Sequence, residues 1–404
     1  MKRTHGATIL SLVGLLMLAL LPVAAQQPDV TQSSSTRFHR KGNRAIPNHY
    51  IVVLDRDADG RRGDRAFNAG EVAQLMPDWA GTVTRRFDHA VNGFAAYMTE
   101  QQALSLSEDS RVRFVEEDSV VETLVTQSNP PWGLDRIGQR DLPLNRTYSY
   151  TTTGAGVNAY IIDTGIRRTH TQFGGRVFVG FDAIGDGRNT NDCNGHGTHV
   201  SGTVGGSTFG VAKGVRLFAV RVLDCNGSGS TSGVIAEVDW VTANHMSPAV
   251  ANMSLGGGAS TALDTAVRNS IASGVTYAIA AGNSNTNAAS SSPARVAEAI
   301  TVGATTMTDA RSSFSNFGSV VDIFAPGSSI VSAWLTSDTA TATLSGTSMA
   351  TPHVAGVVAR FLQNNPGATP AQARNELVNV ATLNHLSGIP SGTANRLLFW
   401  SSAR

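Results

Sequence analysis

The strongest constraint on the fold of this chain is the segment 346–356, where a polar turn leads directly into a long apolar run. Residues 349–362 are largely apolar and predict a buried helix. Pro352 falls in its first turn, where a missing N–H costs little. The residues before Ser348 are small, so its hydroxyl is expected to be exposed at the helix start. Taken alone, Ser348 is better explained as an N-cap, because serine commonly caps helices.

Three other motifs place a polar side chain behind an apolar run or between glycines. Asp163 follows the apolar residues 157–162, His196 stands between two glycines, and Asn283 follows the run 277–281. A doubly wound sheet puts functional side chains at the ends of its strands, which is where Asp163 is predicted to lie. An Asp in that position is otherwise often a turn former.

These four motifs, in the order Asp, His, Asn and Ser, resemble those of the subtilisin-like serine proteases, and most closely the proteinase K and aqualysin branch. The likeness covers residues 125–404. It implies an α/β catalytic domain with a mostly parallel sheet flanked by helices. It also implies a secreted endopeptidase that works through an acyl-enzyme, with broad specificity, a preference for apolar or aromatic P1 side chains and no catalytic cofactor.

The resemblance gives each polar side chain a role. Ser348 is the expected nucleophile, His196 its general base, and Asp163 the group that orients His196. Asn283 and the Ser348 backbone N–H are the expected oxyanion donors. His199 is expected to pack inside. A zinc-protease pair would have four-residue spacing and a Glu after the first His, and neither is present here.

Two segments rich in glycine and serine are predicted to hold the substrate by strand addition. They carry few side chains, so an extended peptide can approach the backbone and pair on both edges. A plain loop is the alternative for either segment. The residues expected to bind substrate are Gly227, Ser228, Gly229, Ser254, Leu255 and Gly256.

The chain has two cysteines, Cys193 and Cys225. Aqualysin-like proteases pair two cysteines in these sequence contexts, so the resemblance implies one disulfide, and export would put both residues in an oxidising place. The alternatives are two free buried thiols, or Cys193 as a nucleophile.

Calcium is the cofactor that the resemblance implies, in a structural role. Asp322 matches the family's bidentate ligand, and the matching carbonyls belong to Ala297 and Ala299. Hard oxygen ligands of this kind suit calcium. A turn carboxylate is the alternative for Asp322.

Two weaker calcium sites are also considered. Asp135 and Gln139 fit a second site known in relatives, but Gly138 and Asn145 stand where acidic residues are expected, which weakens or abolishes it. A third set is Asp182, Asp186 and Asp192.

Charge density divides the chain into a small unit and a large one. Residues 26–124 contain 15 acidic and 12 basic side chains in 99 positions, whereas 125–404 contain 15 and 17 in 280. We predict a signal peptide over 1–25, a flexible lead-in over 26–48, an inhibitory propeptide over 49–124 and the peptidase over 125–404. The apolar stretch 9–21 is shorter than the roughly 20 residues needed to span a bilayer, which argues against the alternative of a membrane anchor.

The small unit is predicted to be a ferredoxin-like α+β domain. Its element order is β-α-β-β-α-β, with Thr99 as the N-cap of the second helix. It resembles the family's propeptide, which the enzyme removes itself, here near 123–126; an independent adaptor domain is the alternative. The predicted strands are 50–54, 82–87, 94–98 and 112–115, and the predicted helices are 67–75 and 100–106.

The expected partners are protein substrates and the chain's own propeptide, and we expect a monomer. A net charge of +1 gives no electrostatic reason to expect nucleic acid or a membrane. The rival function is a catalytically silent peptide-binding module of the same fold, which the loss of any of the four motifs would have favoured. An esterase would need Gly-x-Ser-x-Gly and the order Ser, Asp, His.

Overall fold

A computed structural model describes residues 37–41, 45–55, 81–121 and 124–401. The chain divides into two compact units, with the boundary between Val121 and Glu122. The predicted signal peptide, 1–25, and the predicted helix 67–75 lie outside the described residues. None of the described helices combines the length and hydropathy that crossing a membrane requires.

The first unit is a sheet with one described helix packed against it. The strand order is β1-β5-β2-β4-β3. Thr99 caps the helix, and the Thr99 and Gln102 side chains each bind the other residue's backbone N–H. The elements are β1 (Phe38–His39), β2 (Ala45–Leu54), β3 (Thr82–Phe87), β4 (Gly93–Tyr97), α1 (Glu100–Glu108) and β5 (Val112–Ser119).

The predicted flexible lead-in needs a correction. Part of it is structured, because Phe38 and His39 pair in parallel with Val115 and Glu116 of β5. The strand predicted at 50–54 also begins earlier, at Ala45. The partners of Phe38 and His39 lie more than 70 residues away in sequence. The residues around β1 therefore carry no local pattern that predicts a strand.

The second unit is built on a nine-stranded sheet. Its order is β19-β20-β16-β15-β13-β11-β8-β10-β9, and every pairing is parallel except β19 with β20. The strands are β6 (Val125–Ser128), β7 (Thr147–Tyr150), β8 (Asn158–Asp163), β9 (Val177–Asp182), β10 (Arg216–Arg221), β11 (Ala249–Met253), β12 (Gly257–Gly258), β13 (Thr276–Ala280), β14 (Ser291–Ser292), β15 (Ile300–Thr305), β16 (Ile323–Pro326), β17 (Ile330–Ala333), β18 (Thr341–Leu344), β19 (Thr382–Leu383) and β20 (Arg396–Leu397). The helices are α2 (Trp132–Ile137), α3 (His196–Gly205), α4 (Thr231–Asn244), α5 (Thr261–Ala272), α6 (Thr347–Asn364) and α7 (Pro370–Val380), with short 3-10 turns at Thr171–Phe173 and Ala288–Ser290.

Helices cover both faces of this sheet, which explains why its central strands are continuous apolar runs. Successive residues of β8 point to opposite faces, so Ile161 joins the core that contains α3 and α6, and Ile162 joins the core that contains α4 and α5. The predicted mostly parallel sheet flanked by helices is confirmed.

Candidate active site

The carboxyl ends of three neighbouring strands bring polar residues to one edge of the sheet. β8 ends at Asp163, Ser254 directly follows β11, and Asn283 lies three residues after β13. The three strands are parallel and adjacent, so their carboxyl ends meet at the same edge. This is the edge at which ligands bind in open α/β sheets.

Asp163 and His196 form a hydrogen-bonded pair. His196 Nδ1 lies 2.8 Å and 3.0 Å from the two carboxylate oxygens of Asp163, which is fully buried. The Thr164 N–H also donates to Asp163 Oδ1, at 2.8 Å. Because Nδ1 donates to the carboxylate, Nε2 is the ring nitrogen that can accept a proton from another group.

His196 begins α3, and the glycines on either side of it are required by close contacts. Gly195 has φ 110°, and a Cβ there would lie 2.5 Å from the Trp334 ring. A Cβ on Gly197 would lie 2.2 Å from the Gly165 carbonyl oxygen. A side chain at either position would displace the helix start that carries His196.

Asp192 holds the turn that precedes α3. Its oxygens accept backbone N–H bonds from Asn194 and Gly195, both at 2.9 Å, and from Thr198 at 3.0 Å. The sequence grouped Asp192 with two other candidate calcium ligands, but backbone N–H groups of this turn and of α3 take up its oxygens. An Asp shortly before a helix start is a capping signal that could have revealed this role.

His196 and His199 have opposite pKa shifts. Burial disfavours the charged form of His196, but the charge and hydrogen bond of Asp163, with the charge of Asp192, raise its pKa above the ordinary value. Burial lowers the pKa of His199 to about 4. His199 Nε2 lies 3.0 Å from the Ile330 carbonyl oxygen, so this ring packs inside the domain.

Ser348 is the second residue of α6, and two reciprocal hydrogen bonds join it to Ser254. Its Oγ donates to the Ser254 carbonyl at 3.0 Å, and the Ser254 hydroxyl donates to the Ser348 carbonyl at 2.9 Å. Asn252 Nδ2 donates to the same Ser254 hydroxyl. The expected hydrogen bond from Ser348 to His196 is therefore replaced by one to Ser254; catalytic hydrogen bonds often form only once substrate is bound.

Asn283 is oriented by Thr347. Its side-chain Oδ1 accepts from the Thr347 backbone N–H at 2.8 Å and from the Thr347 hydroxyl at 2.9 Å. A Cβ added at Gly346, at the start of α6, would lie 3.5 Å from the Asn283 Nδ2. The amide nitrogen is thus directed at the turn that carries Ser348.

Two adjoining clefts share the segment Leu255–Gly258. One cleft is lined by His196 and, across from that segment, by the loop that contains Gly227, Ser228 and Gly229. The other is lined by Asn283 and Ser348. The structure thus brings together the residues predicted to bind substrate; Gly257 and Gly258 already pair with β14 on one side.

The predicted disulfide is present. Cys193 and Cys225 are joined, with their Cα atoms 4.9 Å apart. Asn194 Nδ2 also donates to the Cys225 carbonyl, at 3.1 Å. The bond therefore joins the turn before His196 to the loop that lines the cleft opposite Leu255.

The residues of the predicted main calcium site do not fit a calcium ion. Asp322 Oδ1 is paired with Arg374, and Oδ2 accepts the Thr301 N–H at 2.8 Å. A bidentate ligand needs both oxygens turned to the ion. The sequence could not reveal Arg374, which comes from α7, 52 residues later.

Protein donors also take up the other predicted calcium ligands. Gln139 and the Arg146 N–H donate to the two oxygens of Asp135, at 2.6 Å and 2.8 Å, in keeping with the weakened site expected there. Oδ2 of Asp182 and Oδ1 of Asp186 instead lie 3.3 Å and 2.6 Å from Nη1 of the buried Arg221. A guanidinium therefore lies beside the carboxylates that the sequence assigned to a metal.

Comparisons with known proteins agree with this geometry. Residues 154–396 match the model of the subtilase family. The chain belongs to the subtilase family. Residues 49–124 match the peptidase inhibitor I9 family, so this subtilase is made as a proenzyme with an inhibitory propeptide.

This subtilase is similar over most of its length to relatives that are named as serine proteases. An extracellular serine proteinase of Thermus sp. (strain Rt41A) is 50% identical over 401 residues, covering 96% of this chain and 97% of the relative. An alkaline serine exoprotease A of Vibrio alginolyticus is 50% identical over 364 residues, covering 88% and 68%. A cold adapted subtilisin-like serine proteinase of known crystal structure is 58% identical with a TM-score of 0.66, covering 67% of this chain and 98% of that one. The subtilase described here is a serine endopeptidase, and a catalytically silent module is not favoured.

Proposed function

We propose that Asp163, His196 and Ser348 are the catalytic triad of this subtilase and that Asn283 is its oxyanion donor. The observation that carries the proposal is the pair of His196 with the buried Asp163, on the edge of the sheet where Ser348 and Asn283 line the adjoining cleft. Ser348 Oγ turns from the Ser254 carbonyl when substrate binds, and it then donates to His196 Nε2.

The reaction begins when Ser348 Oγ attacks the scissile carbonyl carbon and its proton passes to His196 Nε2. The oxyanion receives hydrogen bonds from Asn283 Nδ2 and from the Ser348 N–H, one of the early helix N–H groups that have no partner within the helix. The C–N bond breaks as His196 returns the proton to the leaving amine. Water then attacks the acyl-enzyme by the same route and restores Ser348. Asp163 stabilises the imidazolium throughout.

Substrate is held as an extended strand between the loop 227–229 and the segment 254–256. Both present backbone with little side-chain cover, so pairing reads main-chain shape more than sequence and gives broad specificity. The preference for apolar or aromatic P1 side chains rests on the family resemblance. Secretion through residues 1–25 is supported by a relative that is named an extracellular serine proteinase.

The proposal is tested with Ser348→Ala. This variant should lose roughly 10⁶-fold in kcat on a peptide anilide and should keep its propeptide attached, because both reactions need the same nucleophile. The matched control is Ser345→Ala, which removes a hydroxyl three residues away that accepts the Ser329 N–H. The control should mature and hydrolyse as the wild type does. Efficient self-processing of Ser348→Ala, free of other proteases, would rule out the assignment.

A further inference from the structure

Asp322 is a buried carboxylate on the edge of the sheet opposite the active site. It directly precedes β16, and it is 6% exposed. Its backbone N–H donates to the Thr301 carbonyl at 3.0 Å, and its Oδ2 accepts the Thr301 N–H at 2.8 Å. One oxygen of the carboxylate is therefore committed to the neighbouring strand β15.

The other oxygen is committed to a cation of the chain itself. Arg374, on α7, directs its Nη2 to Asp322 Oδ1. Burial raises the pKa of Asp322, and the charges of Arg374 and of Arg396, on β20, act against that shift. Arg374 lines a surface groove together with Ala297, whose carbonyl was expected to bind calcium. The guanidinium thus lies among the groups that the sequence assigned to the metal.

Calcium and Arg374 exclude each other at this position. Calcium needs six to eight oxygen ligands at about 2.3–2.6 Å, with both oxygens of a bidentate carboxylate turned toward it. Here one oxygen binds an N–H and the other a guanidinium, whose positive charge would repel a divalent ion at such short range.

We propose that Arg374 is an internal substitute for calcium. Its guanidinium neutralises Asp322 and joins α7 to the β15–β16 edge, which is the work that a bound ion would do between these elements. The stabilisation by a bound ion depends on the logarithm of its free concentration and is lost when the ion is removed, whereas a side chain cannot dissociate from its own chain. This part of the catalytic unit therefore keeps its stability when calcium is removed.

The test compares Arg374→Gln with Arg268→Gln. Arg268 pairs with Glu298 at 3.1 Å, and both side chains are about half exposed, so its loss should change the melting temperature little. Melting of the mature enzyme is followed by calorimetry in chelator and in millimolar calcium, with a serine-directed inhibitor present to prevent autolysis. Arg374→Gln should melt several degrees lower than the wild type in chelator, and calcium should restore part of the loss.

Three results would overturn the proposal. One is an unchanged melting temperature of Arg374→Gln in chelator. Another is a lowered melting temperature that calcium does not raise. The third is a wild-type response to calcium that Asp322→Asn abolishes, which would place the ion at Asp322 despite Arg374. If Arg374→Gln does not fold, Arg374→Lys serves in its place: it keeps the charge, so it should stay close to the wild type and gain no calcium response.

Discussion

At the scale of single residues, two histidines three positions apart on α3 differ in every respect that matters for catalysis. His196 is bound to a carboxylate and faces the cleft, and its pKa is raised. His199 is fully buried between backbone carbonyls with a pKa of about 4, so it stays neutral at physiological pH. The spacing of the two histidines does not cause this difference. It arises because His196 contacts the last residue of β8, whereas His199 contacts backbone carbonyls of β17 and β18.

We expect His196→Ala to lose roughly 10⁴ to 10⁶-fold in kcat with an unchanged melting temperature. His199→Ala should keep a near-native kcat but lose about 1–3 kcal/mol of unfolding free energy, because it empties a packed site. Turnover of a peptide anilide and calorimetry of both variants distinguish the two roles. The same kcat/KM measured against pH should rise through a midpoint above about 6.5, since Asp163 favours the imidazolium. A folded His196→Ala with native turnover would contradict the mechanism.

A single sequence displays the signals behind the proposed triad and oxyanion residues. Asp163 follows an apolar run, His196 and Asn283 each adjoin a glycine, and Ser348 precedes the apolar run of α6. These signals could not indicate what those residues bind. Ser254 was predicted only as a backbone contact, yet its hydroxyl holds the Ser348 carbonyl. Nothing in the sequence around Arg374 indicates its partner, because Asp322 is near it only in the folded chain.

At the scale of the element, α4 carries a carboxyl group that burial keeps protonated. Glu237 lies on the apolar face of this helix, and its Oε1 accepts the Ala183 N–H at 3.0 Å. Burial, with the charge of Asp182 and despite that hydrogen bond, raises the pKa of Glu237 to about 9. The unfolded chain releases this proton near pH 4.5, so between pH 4.5 and 9 the folded state binds more protons.

The titration of Glu237 therefore lowers the free energy of unfolding as the pH rises, by up to about 1.4 kcal/mol per pH unit between pH 4.5 and 9. Glu237→Gln keeps the acceptor for Ala183 and removes the titration. We therefore expect it to match the wild type near pH 4 and to melt several degrees higher near pH 8. Asp239→Asn, an exposed change on the same helix, is the control and should behave as the wild type at both pH values. An equal difference between Glu237→Gln and wild type at both pH values would contradict the assigned pKa.

Elements with a strong local signal were predicted well, and those that depend on distant partners were not. Thr99, predicted as an N-cap, begins α1. The apolar run after Ser348 indicated α6, which extends two residues beyond the predicted run at each end. The two-residue strand β1 has no such signal, because only its pairing with β5 makes it a strand.

At the scale of the whole molecule, the chain consists of an inhibitor-type unit followed by a peptidase. The charge densities of the two parts already indicated this division. The first unit has its own core, which includes Val52, Phe94 and Val115.

A separately produced fragment 26–124 should therefore inhibit the mature enzyme when added in trans. We expect an inhibition constant below about 1 μM, which corresponds to about −8.2 kcal/mol of binding free energy. The control fragment carries Val115→Asp, which buries a charge in the centre of that core and should prevent folding. Inhibition kinetics with a peptide anilide provide the measurement, and equal inhibition by both fragments would show that the folded unit is not what binds.

The glycines on either side of His196 also limit which substitutions this enzyme can accept during evolution. Replacing glycine at 195 or 197 by any other amino acid adds at least a Cβ, which meets the Trp334 ring or the Gly165 carbonyl oxygen. Mutational libraries should therefore recover almost no active clones at these two positions. Adaptation to a new pH or temperature has to arise elsewhere, through neighbours that alter the surroundings of His196 and leave its backbone in place.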